Sequence, residues 1–334
     1  MGLKIWNLLP KKEIEIKELK GKVLAIDSSS MLYQFLTSIR QPDGTPLQDS
    51  KGNITSHLQG ISSRVSNLLS QNLKLIFCFD GKPPILKVKT QEEREYRKRI
   101  AEKKLKQAQE REDIQEMLKF SKQTTRLNKQ ILEESKELLN AFGLPVLQCP
   151  GEAEAQAAFI AEKGDAYGVV SQDADALLYS TPYLIRNLTI SQRKRLPSGV
   201  TIKNLPEIIS LKETLKILKI NQDQLIVLSI LVGTDYNEGI YRIGPKTALK
   251  LVREYKDFDE LFEKVNASFN WKQIYAVFKS MPIMKNYQLK FKEPDIEKIK
   301  EILVEQHDFS EERVSKMLEK ITKREKNQKG LTEF

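Results

Sequence analysis

The sequence predicts an α/β protein with a mostly parallel central sheet flanked by helices, and three observations carry that prediction. Three short apolar runs rich in β-branched or aromatic residues each lead to an aspartate: KVLAID ends at Asp27, LKLIFCFD ends at Asp80, and YGVVSQD reaches Asp173. Continuous apolar runs bounded by polar segments read as strands buried on both faces. Helical patterns lie between them. The chain has 334 residues, 40% of them hydrophobic, which is enough for such a core. Ligands bind such sheets beyond the carboxyl ends of the strands, so the three aspartates are expected to converge on one crevice. A lone aspartate after a strand is more often a turn former or helix cap. Three in succession point instead to a shared site.

The elements follow in order. The N-terminus, MGLKIWNLLPKK, lacks the apolar stretch of a signal peptide, and Trp6 stands where a myristoylation motif needs Ser or Thr. Residues 87–129 form a separate charged segment, 14 basic against 8 acidic, with so few apolar positions that one or two exposed helices projecting from the core are expected. LPVLQCP reads as a further strand, and Pro150 and Gly151 then mark a helix entrance at GEAEAQAA. After SQDADALLYS comes the strand candidate PYLIRNL, then a run of mostly apolar helices to ILVGTDYNEGI, the segment RIGPKTALKLVREY, more helix over 295–321, and a charged tail from Lys320 that closes in QKGLTEF. No internal repeat is present.

Net charge is +10 and the isoelectric point about 9.3, which favours a polyanionic partner. Nucleic acid ranks ahead of a membrane, because no segment approaches about 18 uninterrupted apolar residues. Cys78 and Cys149 lie in apolar strand-like runs, as expected of reduced core residues in an intracellular protein. His57 and His307 are the only histidines and no paired-cysteine spacing occurs, which argues against zinc. His57 itself reads as structural. No GK[ST] phosphate cradle and no Ser-His-Asp arrangement is present.

What remains is a set of acids: Asp27, Asp80, Glu152, Glu154, Asp173, Asp175 and Asp235. An all-oxygen cluster suits Mg²⁺, with Mn²⁺ as a substitute, and divalent ions would relieve its mutual repulsion. Two such ions can drive in-line phosphodiester hydrolysis. In an extended chain Asp173 and Asp175 of the DAD motif would face the same way. Glu152 and Glu154 pose the opposite problem, since that spacing splays side chains across a helix. Both reach one site only if the helix begins at or just before Glu152.

The motifs FDGKPP at 79–84, GEAEAQ at 151–156, SQDADAL at 171–177, and GTDY with IGPKTA near 233–248 together resemble the flap endonucleases, the structure-specific 5′ nuclease family, of archaeal type. The resemblance runs from MGL to the C-terminus. It implies a helical arch and a helix-two-turn-helix DNA-binding region within a single nuclease domain, 1–324: an N-terminal region 1–100, the arch at about 87–129, an internal region at about 140–235, and C-terminal helices at about 236–324. Residues 325–334 would form a tail. Asp27, Asp80, Glu152 and Glu154 would hold one metal region, and Asp173, Asp175 and Asp235 the other. Lys87 and Arg94 match the family's basic pair beside the scissile phosphate, and their separation of seven puts both on one helix face. Tyr33 matches an aromatic that stacks on a base, and Gly2 the amino-terminal glycine near the active centre. Gln48, Thr55 and Arg64 fall in the segment that receives a short 3′ flap. Gly244 and Lys246 belong to the hairpin that grips distant duplex, often with K⁺. Arg242 departs from the glycine usual there, which bears on that ion site and on the turn geometry. Gln328, Leu331 and Phe334 fit a Q-x-x-L-x-x-F peptide for the replication sliding clamp. The implied activity is 5′ flap endonuclease with 5′–3′ exonuclease, acting in Okazaki fragment maturation and repair by a monomer in an archaeal-type cytoplasm. The alternatives are a junction nuclease of the same superfamily and a non-catalytic junction binder.

Overall fold

The computed structural model describes residues 4–190, 193–195 and 201–329. Its strands in chain order are β1 (Lys12–Glu13), β2 (Val23–Asp27), β3 (Lys74–Phe79), β4 (Val146–Gln148), β5 (Gly168–Val170), β6 (Tyr183–Arg186), β7 (Arg193–Arg195), β8 (Thr201–Lys203) and β9 (Glu207–Ser210). Seven of them form one sheet in the order β1-β9-β6-β5-β2-β3-β4, while β7 and β8 pair apart. From β4 to β6 all pairings are parallel, and β9 and β1 close the far edge antiparallel.

The helices are α1 (Ser28–Ser38), α2 (Ser56–Gly60), α3 (Ser66–Ser70), α4 (Val88–Glu110), α5 (Ile114–Gln123), α6 (Lys129–Ala141) and α7 (Ala153–Glu162). They continue with α8 (Leu211–Leu218), α9 (Gln222–Val232), α10 (Pro245–Glu254), α11 (Phe258–Lys264), α12 (Trp271–Ser280), α13 (Ile296–Lys300) and α14 (Glu311–Lys329). Helices cover both sheet faces, which explains why the strand runs are continuously apolar. Period-2 alternation divides them: Ala25, Ile76, Cys78 and Val169 pack with α7 and α9, whereas Leu24, Ile26, Phe77 and Val170 pack with Leu32, Leu138 and Leu303. Helix α9 is buried from Leu225 to Val232 and so is apolar all round. Both cysteines are free and buried.

The order of the strands sets the site. From β2 the chain moves outward through β3 to β4, and from β5 it moves the other way through β6, so the direction of winding reverses between β2 and β5. Such a switch point leaves a crevice at the carboxyl ends. Asp27 ends β2 there, and β5 lies beside it.

Three sequence expectations need correction. The stretch read as the start of an apolar helical run holds β7, β8 and β9; the EIIS of β9, with Ile209 fully buried, supplies the antiparallel strand that covers the β6 edge. The DAD motif does not follow its strand directly: β5 ends at Val170, and Asp175 opens a 3₁₀ turn, so the two aspartates are not presented from extended chain. Helix α14 runs to Lys329, into the segment read as a tail. The charged segment does form helices: α4 buries only Ala101 and Ala108, and α5 packs along it. At about 1.5 Å per residue α4 is roughly 35 Å long.

Candidate active site

Each acid is fixed by the local fold. Asp27 caps α1, its Oδ1 accepting from the Ser30 amide at 3.2 Å. Asp80 follows β3 and accepts the Ala153 amide of α7 at 2.7 Å. The turn former or cap is therefore a true role of both, and capping is what aims them. Glu152 is the extended N-cap of α7 (φ −73°, ψ 140°), so the helix begins one residue later, at Ala153. Glu152 and Glu154 escape the splay of a regular helix in this way. Ser171 Oγ lies 2.7 Å from Glu154 Oε1 and 3.3 Å from Asp27 Oδ2, joining carboxylates across the switch point.

Opposite them stand the basic residues. Lys87 Nζ lies 2.6 Å from Glu152 and 3.2 Å from Asp235, and Arg94 Nη2 lies 2.5 Å from Asp235. Lys87 and Arg94 do converge on one target. Thr90 Oγ1 donates to the Asp235 carbonyl at 2.7 Å, fastening the root of α4 to this loop. Tyr179 and Tyr236 both donate to Glu152 Oε2, at 3.1 and 2.8 Å.

The electrostatics follow from burial. Desolvation and then the Asp80 charge push the Asp27 carboxyl up to about 7. Glu154 is raised by burial and by Asp27, and Asp175 by burial and by Asp173 and Asp235. Burial also opposes the charges of Lys87 and Asp235, but there attraction wins: Glu152 and Asp235 hold the ammonium above its ordinary range, and Lys87 and Arg94 hold Asp235 below. The crevice thus has one side whose acids resist ionisation and one side where cations stand in.

A hard divalent ion suits this chemistry. The donors are all oxygen, several favour protonation for want of a counter-charge, and Asp175 Oδ1 is buried with no hydrogen-bond partner. As placed, no three acidic, histidine or cysteine side chains among the described residues make a ready metal-holding group. Lys87, Ser171 and the two tyrosines occupy the oxygens that an ion would take.

Gly81 keeps the two halves together. Its amide donates to the Gly151 carbonyl at 2.8 Å, and a Cβ there would lie 2.0 Å from the Cys149 carbonyl oxygen. Gly81→Ala would therefore part Asp80 from Glu152. The expected cost is about 1–3 kcal/mol of stability, with turnover falling as well, read by thermal unfolding alongside single-turnover cleavage.

The remaining expected residues are dispersed. Tyr33 is 39% exposed on α1 rather than packed in the core. Gln48, Thr55 and Arg64 line a separate cavity of about 1020 Å³ between α2, α3 and α14. Gly244 caps α10 in extended backbone, and Lys246 is exposed in its first turn. Arg242 adopts φ +63°, so it takes the left-handed backbone itself, at about 1–2 kcal/mol. Gly2, Leu331 and Phe334 lie outside the described residues, as does the side chain of Gln328. Sequence reasoning missed Ser171, Thr90, Tyr179 and Tyr236 as partners. Ser171 and Tyr236 stood inside quoted motifs, whereas Tyr179 in an apolar run gave no signal.

Comparison with known proteins decides the family. The description "XPG N-terminal domain" matches residues 1–101 and "XPG I-region" residues 143–235. The chain is 47% identical over 325 residues to Flap endonuclease 1 of Pyrococcus abyssi, covering 97% of this chain and 94% of that protein. The chain belongs to the flap endonuclease family. Flap endonuclease 1 of Pyrococcus furiosus is 46% identical over 334 residues, covering 99% of this chain and 98% of its own. The flap endonuclease-1 structure from Methanococcus jannaschii matches with a TM-score of 0.77 at 41% identity, covering 96% and 98% of the two chains. The Rad2 catalytic core shares the fold, with a TM-score of 0.71 at 20% identity, covering 95% and 99%. No helix among the described residues is long and apolar enough to cross a membrane.

Proposed function

We propose that this flap endonuclease family member is a Mg²⁺-dependent, structure-specific 5′ flap endonuclease with 5′–3′ exonuclease activity, hydrolysing DNA phosphodiesters at junctions of single strand and duplex. The observation that carries the reading is the carboxylate crevice at the β2/β5 switch point with Lys87 and Arg94 facing it from the root of α4. Asp27, Asp80, Glu152 and Glu154 would hold one ion, and Asp173, Asp175 and Asp235 the other. Bound divalent ions supply nucleophile activation and charge neutralisation for an in-line displacement.

The chain's own residues do the rest. Glu152 and Asp235 keep Lys87 and Arg94 at the mouth of the crevice, and an entering phosphate gives both a competing anionic partner. Tyr179 and Tyr236 hold Glu152 in place through Oε2 and leave Oε1 to Lys87. The charged helices α4 and α5 form the arch over a single-stranded 5′ arm, with Tyr33 stacking on a base near the cut; Gly2 is assigned to DNA binding as well. Gln48, Thr55 and Arg64 receive a short 3′ end. Gly244 and Lys246 contact the distant duplex through its phosphates.

The chain is read as one nuclease domain, 1–324, followed by a clamp-binding tail, 325–334, whose first residues continue α14, with Gln328, Leu331 and Phe334 as anchors. The protein works as a monomer in Okazaki fragment maturation and repair, inside an archaeal-type cell, in keeping with the sources of its relatives. A non-catalytic junction binder has no use for a crevice in which Asp27, Glu154 and Asp175 are held at mutual cost. Cleavage of 5′-flap, bubble and four-way DNA under one set of conditions tests the proposal. Preference for the flap supports it, and preference for either other substrate refutes it.

A further inference from the structure

Among the described residues, the chain's two histidines converge on one carboxylate, Glu134, that shares no hydrogen bond with the candidate catalytic acids. His57 on α2 is fully buried, with Nε2 2.9 Å from Glu134 Oε2 on α6. The other oxygen of Glu134 accepts from Gln130 Nε2 at 2.8 Å, and His307, in the turn before α14, lies 3.8 Å from that oxygen through Nε2, a packing contact rather than a hydrogen bond, with its Nδ1 3.0 Å from Asp49 Oδ2. Asp49 in turn accepts the amides of Lys51 and Asn53, at 3.0 and 2.8 Å, and so shapes the loop that carries Gln48. One further bond ties the two walls directly, from the Ser50 amide to Asp308 Oδ2 at 2.7 Å.

Asp49 and His307 line the 1020 Å³ cavity, and Glu134 and His57 stand behind them. His57 adjoins Thr55 and Ser56. Ser56 Oγ accepts the Leu47 amide at 2.9 Å, so the helix start that His57 anchors also holds the opposite end of the loop. The cavity lining includes Arg64, Arg313 and Lys320, cations suited to a short polyanionic strand end.

His57 has a defined state. Its Nδ1 is buried without a partner, so a second ring proton would have no acceptor, and burial holds the imidazole below its ordinary range. Nε2–H therefore donates to Glu134. A buried polar chain is a costly way to fill space compared with apolar packing. What it supplies is a fixed geometry.

We propose that His57 and Glu134 are positioning residues: through His307 and Asp49 they set the walls of this cavity so that it grips the 3′ end of a branched DNA. The inference rests on the flap reading above, and goes beyond it in giving the site's geometry to a four-residue relay that does not touch the catalytic crevice.

The test compares KM and kcat of the full chain on 5′-flap DNA with and without a one-nucleotide 3′ extension. Wild type is expected to show a lower KM with the extension. In His57→Leu and Glu134→Ala that advantage should shrink by roughly tenfold, the scale of one charge-assisted hydrogen bond, with kcat on extension-free DNA unchanged. His57→Gln, whose amide can still donate to Glu134, should restore it. Thermal unfolding identifies folded variants, and the more accessible Glu134→Ala serves if His57→Leu does not fold. An undiminished KM advantage in folded His57→Leu or Glu134→Ala overturns the relay, as does a His57→Gln no better than His57→Leu. A wild type indifferent to the extension overturns the flap reading of the cavity beneath it.

Discussion

Asp175→Ala is expected to abolish cleavage of 5′-flap DNA while leaving flap binding largely intact. Asp175 Oδ1 is the buried crevice oxygen without a partner, and the carboxyl belongs to the group that would share the second ion with Asp173 and Asp235. Ion stabilisation of a displacement is worth several kcal/mol, so its loss lowers single-turnover cleavage by about 10³-fold or more. On the proposed function, DNA affinity would rest mainly on phosphate contacts spread over the arch, the cavity and the α9–α10 region. It should change by less than about threefold, an energy difference below one kcal/mol. Unfolding supplies an independent check. Because Asp175 is an acid that burial and Asp173 discourage from ionising, its removal should raise the melting temperature of the metal-free protein near neutral pH. Retained turnover at saturating Mg²⁺ would remove Asp175 from the metal assignment.

Lys87→Ala and Arg94→Ala should slow the chemical step by about 10²–10³-fold each, the usual cost of losing one preorganised partner of developing negative charge. Binding should be less affected. Both side chains now neutralise Asp235, and Lys87 also neutralises Glu152, so losing Lys87 leaves Glu152 without a cation, whereas losing Arg94 leaves Asp235 paired with Lys87. The Lys87 variant should therefore be less stable than wild type without metal, and Mg²⁺ should narrow the gap. Single-turnover rates and melting curves with and without Mg²⁺ separate the two effects. Wild-type rates would refute the role in chemistry.

Much of the site was legible because it obeys simple rules of strand and helix ends. Apolar runs that stop at Asp27 and Asp80 place those residues at the carboxyl edge of the sheet, and Pro150-Gly151 marks the entrance that leaves Glu152 outside the helix. What stayed hidden depends on tertiary contact. Tyr179 is an aromatic in an apolar run and packs against Phe278, as core residues do, yet its hydroxyl serves Glu152. The strand β9 is four residues long and carries meaning only once β6 needs an edge partner. His57 reads as structural from its isolation, and its contact with Glu134 was hidden because Glu134, like His307, lies far from it along the chain.

That the carboxylate crevice acts through divalent ions is tested most directly by titrating Mg²⁺ into chelator-treated protein and following single-turnover cleavage of 5′-flap DNA. Cleavage should be absent without added ions and rise with Mg²⁺ to a plateau in wild type, while Asp175→Ala stays flat. Wild-type cleavage that persists in excess chelator would contradict it.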